Sequence, residues 1–223
     1  MSRYIFIDIE TLPDQGEGAR ALIESEIKPP SQMKKQETID AWMSGQKPYE
    51  GVKDALVNEK YRKTSLNGDY GRIFCICIDI DGIKKEFVND DEKALLCEFW
   101  QFISAKVKAQ EKPFFVAHNA DFDLTFLWKR SIINNVHPLI KRNARHGHDY
   151  FCTMQEWAGY KQLISLNNLS SILGVGSKTD GIDGSKVYDY WLEGKHDEII
   201  EYCHQDVDLV KSIFSRINGV SYE

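Results

Sequence analysis

Residues 3–9 carry apolar side chains on both sides of an extended chain: Tyr4 and Phe6 on one, Ile5, Ile7 and Ile9 on the other. A short strand apolar on both faces is covered by helices on each side, so this segment predicts a central strand. RIFCICIDI at 72–80 reads the same way, and Asp81-Gly82 followed by IKKEFV at 83–88 predicts a hairpin. Residues 91–108 place Leu95, Leu96, Phe99, Trp100, Phe102, Ile103 and Val107 at helical spacing. A further apolar strand, Phe114–Ala117, leads into His118-Asn119 and a helix with Phe122, Phe126 and Leu127. Ile199, Ile200, Cys203, Val207, Val210 and Phe214 step by three and four along a last helix. This alternation predicts an α/β fold with a mixed sheet whose hairpin is antiparallel.

Two stretches are less patterned. Residues 14–70 hold ten acidic and nine basic residues, with weak helical pattern around 19–27, 36–44 and 52–62. They read as a polar insertion with too few apolar anchors for a core of its own, within a single domain spanning 1–223. Residues 174–186, GVGSKTDGIDGSK, read as turn-rich loop.

Composition narrows the classes. With 42% hydrophobic residues the chain can build a real core, which excludes a disordered tail. Its apolar runs are far shorter than the roughly 18–20 residues that span a bilayer, and MSRYIFIDIETLP lacks a signal-peptide pattern, so no membrane is expected. Five cysteines without framework spacing suit a reducing interior, and the expected location is cytoplasmic. The net charge of −6 argues against nucleic acid unless some carboxylates are gathered around metal.

Such carboxylates exist. Asp8 and Glu10 are two apart in the first strand and leave one face, at the C-terminal end where open α/β sheets place their sites. They repel strongly unless a cation lies between them, or else they are a strand end pointing to solvent. Asp123 falls in the first turn of a helix that Asn119 can cap, where the helix dipole also favours a carboxylate. Asp121 points about 200° away around that helix and reads as a solvated acid. Tyr202 and Asp206 are four apart and share a helical face, where a phenol beside a metal-binding carboxylate can orient water. An amphipathic helix with an interfacial tyrosine gives the same pattern. Asp208 competes with Asp206, but His204 stands four residues before it.

Taken together, Asp8-x-Glu10, Asn119-x-x-Phe122-Asp123 and Tyr202-x-x-x-Asp206 resemble the three motifs of DEDD-type 3′–5′ exonucleases. The tyrosine is similar to the DEDDy branch; a DEDDh enzyme has His five residues before the last Asp, where this chain has Glu201. YIFIDIETLP, YGRIFCICID, HNADFDLTFL, GIDGSKVYDYWLEG and IIEYCHQDVDLV resemble stand-alone predicted exonucleases similar to the exonuclease domain of family B DNA polymerases. The likeness covers about two-thirds of the chain and weakens in 14–60. It implies a ribonuclease H-like fold with Asp8, Glu10, Asp123 and Asp206 as metal ligands. It also implies that Thr11 and Leu12 hold the terminal nucleotide and that Asn119 supports the substrate strand.

Hard carboxylate oxygens favour Mg²⁺ or Mn²⁺ over zinc, and two such ions about 3.5–4 Å apart clamp a scissile phosphate. The expected assignment has Asp8 bridging, Glu10 and Asp206 on the ion that activates water, and Asp123 on the leaving-group ion. Tyr202 would orient the water, since a phenol of pKa about 10 is a poor base. The expected activity is a 3′–5′ exonuclease on single-stranded DNA, favoured over RNA. An exoribonuclease and an inactive nucleic-acid-binding module are the alternatives, the second opposed by the presence of all four carboxylates. No polymerase palm follows residue 223, so any proofreading is expected to need a partner chain, one of replication or repair.

Other features read blandly. Cys75 and Cys77 alternate on a buried strand as core thiols, and His146 and His148 have no further ligand nearby. GVGSKT fails as a phosphate loop because Ser177 and Ile172 stand where glycines are required. Lys60, Arg62 and Lys63, and likewise Lys141, Arg142 and Arg145, are either solvated surface or phosphate contacts.

Overall fold

The computed structural model describes residues 4–107, 112–177 and 182–220; position 108 of the predicted helix and 178–181 of the predicted loop lie outside them. The chain divides into two compact units, Met1–Thr11 with Ile73–Glu223, and Leu12–Arg72. The first strand, β1 (Tyr4–Leu12), is followed by three helices of the smaller unit, α1 (Ala19–Glu26), α2 (Gln36–Met43) and α3 (Val52–Lys63), where the weak helical pattern lies. Contrary to expectation, this unit has a small core of Ile27, Trp42 and Val57, with Ile23, Met33 and Tyr49 packed around it. A buried tryptophan lets so few anchors suffice. Main-chain groups add to it: the Tyr61 hydroxyl donates to the Asp14 carbonyl at 3.0 Å, and the Asp14 N–H donates to Thr64 at 2.8 Å.

In the larger unit, RIFCICIDI forms β2 (Arg72–Ile80), and β3 (Ile83–Val88) pairs with it antiparallel, Ile80 opposite Ile83. The two connecting residues have φ of 55° at Asp81 and 78° at Gly82, the pair of positive values a type I′ turn requires. After α4 (Glu92–Lys106) come β4 (Phe114–Ala117), α5 (Ala120–Ile133) and β5 (Tyr150–Cys152). β4 runs parallel to β1 and to β5, so the strand order is β3-β2-β1-β4-β5. This is the mixed α/β sheet that the alternation predicts, consistent with a ribonuclease H-like fold. The chain ends in α6 (Thr153–Ala158), α7 (Leu166–Leu173), α8 (Val187–Leu192) and the long α9 (His196–Asn218). β5, α6 and α8 go unpredicted because each is too short for its period to show, and α7 goes unpredicted as well. No helix among the described residues is long and apolar enough to cross a membrane.

Each face of β1 has its own cover. Ile5, Ile7 and Ile9 join the main core with Leu95, Leu96, Phe99 and Trp100 of α4 and Phe126 and Leu127 of α5. On the other face Tyr4 and Phe6 meet Phe214 of α9 at ring-centroid distances of 4.9 and 5.6 Å. By the two-residue period of a strand, Asp8 and Glu10 share that α9 face.

A buried charge ties the elements behind the sheet. Glu92, 8% exposed, accepts the Ile73 N–H at 2.7 Å, the Asn134 amide at 2.9 Å and the Arg130 guanidinium at 2.7 Å. Removing one partner strands the other charge away from water. Glu92→Ala should therefore lose about 3–5 kcal/mol in urea unfolding. Lys84→Ala, which breaks an exposed 2.7 Å pair with Asp208, should lose about 1 kcal/mol or less. Equal losses would show that the Glu92 network is not a structural tie.

Candidate active site

Packing on one helix face brings the acids together. The buried stripe of α9 contains Ile199, Cys203, Asp206, Val207, Val210, Ile213 and Phe214. With Phe214 seated on Tyr4 and Phe6, Asp206 stands about two turns nearer the helix start, where β1 presents its acids. Carboxylate oxygens of Asp8, Glu10 and Asp206 lie within 4.8 Å of one another. Glu10 and Asp206 are buried, and Asp8 is half-buried. Lys211, farther along α9, pairs at 2.8 Å with buried Asp79 of β2 and fixes the helix against the sheet.

Asp123 arrives from α5, which begins directly after β4. It is 4% exposed, and its carboxylate accepts the main-chain N–H of Ile9 in β1. Asn119 occupies the cap position, but its side chain makes no cap bond and is exposed. The expected cap is replaced by its carbonyl, which accepts the Phe122 N–H at 2.7 Å. The two competing acids are engaged elsewhere. Asp121 is exposed but not merely solvated, since it accepts the Tyr150 hydroxyl at 2.6 Å; Asp208 pairs with Lys84.

Burial, and then crowding, sets the protonation of the cluster. Burial, then the charges of Asp206, Glu10 and Asp123, holds Asp8 well above the usual carboxylate range. Burial pushes Asp123 up to about 7. The Tyr202 hydroxyl is also raised, by burial first and then by Asp206, Glu10 and Asp8, and it hydrogen-bonds to Asp206. Tyr202 therefore keeps its proton at neutral pH and acts as a donor. The three converging ligands all offer oxygen, a set that fits a hard divalent cation.

The remaining expected residues are placed as follows. Thr11, near the end of β1, is half-buried, and Leu12 is fully buried. His146 is engaged by Glu156 at 3.0 Å and by the Cys152 N–H at 3.1 Å, whereas His148 meets Asp149 at 3.0 Å; the two make no chelate. Lys63 is paired with Glu59. One participant is missed by sequence reasoning. The Cys203 thiol donates to the Asp8 carbonyl at 3.4 Å and also bonds to its carboxyl group, lowering the pKa that crowding raises. Its only signal in the sequence is a place on an apolar stripe.

No curated protein matches the chain. The family model described as a predicted 3′–5′ exonuclease related to the exonuclease domain of PolB matches residues 75–220. That span holds Asp123, Tyr202 and Asp206, and the sheet supplies Asp8 and Glu10 from outside it.

A carboxyl group with a raised folded pKa binds its proton more tightly in the folded state. Its contribution to stability is greatest at low pH and is lost as pH rises through the folded value. For Asp123 the window runs from the ordinary carboxylate range to about 7. In EDTA, the melting temperature of wild type relative to Asp123→Asn should fall across this window; parallel profiles would contradict the crowded site. Asp8→Asn should match or exceed wild type in EDTA, because it removes repulsion. It should gain much less from Mg²⁺ or Mn²⁺, which at a hundredfold excess over Kd would add about 2.7 kcal/mol to wild type. An Asp8→Asn protein melting well below wild type in EDTA would refute the repulsive cluster.

Proposed function

The chain belongs to the family of predicted 3′–5′ exonucleases related to the exonuclease domain of PolB, and from that membership we propose that it hydrolyses the 3′-terminal phosphodiester of single-stranded DNA. The observation that carries this reading is the convergence of Asp8, Glu10 and Asp206, with ligand oxygens within 4.8 Å, beside buried Asp123. These four would hold two divalent cations, Mg²⁺ or Mn²⁺. Bound there, the cations would neutralise the scissile phosphate and stabilise charge on the attacking and leaving oxygens.

The chain's own residues have separate tasks. Asp8, which feels the charges of the other three carboxylates, would hold the cations together with Glu10, Asp206 and Asp123. Tyr202, protonated and bonded to Asp206, orients the attacking water rather than taking its proton. Thr11 and the main chain of Leu12 would hold the terminal nucleotide, and the exposed Asn119 amide would support the strand.

Two experiments test this. DNA and RNA oligonucleotides labelled at the 5′ end, incubated with Mg²⁺, Mn²⁺ or EDTA, should give a ladder shortening from the 3′ end only with metal and faster on DNA. Substrate unchanged across a metal titration would refute the activity, and faster RNA trimming would refute the choice of substrate. Tyr202→Phe keeps the ring but loses the donor, so turnover should fall by about 10²–10⁴-fold with DNA affinity close to wild type. Unchanged turnover would remove the phenol from the mechanism.

A further inference from the structure

The α9 face of the sheet holds a second cluster that the exonuclease reading does not use. Cys75 and Cys77 come from β2 and Cys203 from α9; all three are fully buried and unoxidised. Their sulfurs lie within 4.8 Å of one another. Reading β2 alone makes the first two ordinary core thiols; the fold adds the third from the far end of the chain. Each sulfur is oriented by main chain. Cys203 donates to the Asp8 carbonyl at 3.4 Å, Cys77 donates to the Ile200 carbonyl at 3.7 Å, and Cys75 is hydrogen-bonded to the backbone of Glu10.

We propose that Cys75, Cys77 and Cys203 form a second cation site, selective for thiophilic dications such as Zn²⁺ or Cd²⁺. A Zn–S bond of about 2.3 Å sets tetrahedral sulfurs about 3.8 Å apart. Sulfurs already within 4.8 Å of one another need contract by no more than about 1 Å to reach it. The two clusters then sort cations by softness, sulfur for thiophilic ions and the all-oxygen set of Asp8, Glu10 and Asp206 for hard ones. As the three metal–sulfur bonds form, three thiol protons leave to solvent, and the dication held by three thiolates carries one net negative charge. The carbonyls of Asp8 and Ile200, which now accept thiol protons, are on hand for a fourth position. Closed sulfur sites are the structural kind. Occupancy would clamp α9, which bears Tyr202 and Asp206, to β2.

The test uses the full chain in saturating Mg²⁺, which engages the carboxylates, incubated with CdCl₂ long enough for local opening to expose the thiols. Wild type should develop a sulfur-to-cadmium charge-transfer absorbance saturating at one equivalent, with a rise of a few degrees in melting temperature. Cys203→Ser and Cys75→Ser should lose both signals, each variant being checked for native secondary structure by circular dichroism. If Cys203→Ser does not fold, Cys75→Ser decides, since it leaves the Cys203 bond to Asp8 in place. Absence of the band in wild type, or a band of undiminished intensity in Cys75→Ser, would overturn the site, because the signal would then not depend on the three-sulfur cluster.

Discussion

The seating of Phe214 on Tyr4 and Phe6 fixes α9 against β1, and the arrangement of the site depends on it. Once that apolar contact is made, the helix cannot retreat from Asp8 and Glu10, and Asp206 is carried in beside them. The pair of half-buried Lys211 with buried Asp79 holds the same helix to β2 at another point. Hydrophobic burial is thus set against carboxylate repulsion, and burial first, then the neighbouring charges, raises the proton affinities of Asp8 and Asp123. Without a cation the cluster relaxes by holding protons.

That tension has a chemical use. A phosphodiester is itself anionic, so a site with only carboxylates would repel it; positive charge must be supplied by whatever the carboxylates bind. Burial, and then the same field, raises the Tyr202 hydroxyl so that it keeps its proton. The thiols of Cys75, Cys77 and Cys203 lie on the same face of the sheet, so hard and soft ligands stand side by side at the α9 contact. Residues 12–72 form a compact unit of their own, held by Trp42 and its neighbours.

Much of this was legible in the sequence, for identifiable reasons. The isoleucine alternation of β1, the Asp81-Gly82 turn and the three-four stepping of α9 each follow from a strong local period, and the structure has all three. Asp8 and Glu10, and separately Tyr202 and Asp206, could be paired in advance because strand and helix periods fix which side chains share a face; that Asp206 joins the strand acids followed only from the family resemblance. β5, with three residues, and α6 and α8, with six each, are too short to reveal a period. The Trp42 core was hidden because its anchors are spread over a polar stretch. Asp121 looked solvated because its partner, Tyr150, is distant in sequence, and the third thiol of the cysteine cluster was invisible for the same reason.

The central claim is that crowded carboxyl groups keep protons which a bound cation expels. Calorimetric titration of Mn²⁺ into the metal-free protein, in buffers of differing ionisation enthalpy near pH about 6.5, reads this directly. A net release of protons on binding, reduced in Asp8→Asn, is the predicted result. Binding with no proton release would mean the carboxylates are already ionised and uncrowded, and the account of this site would fail.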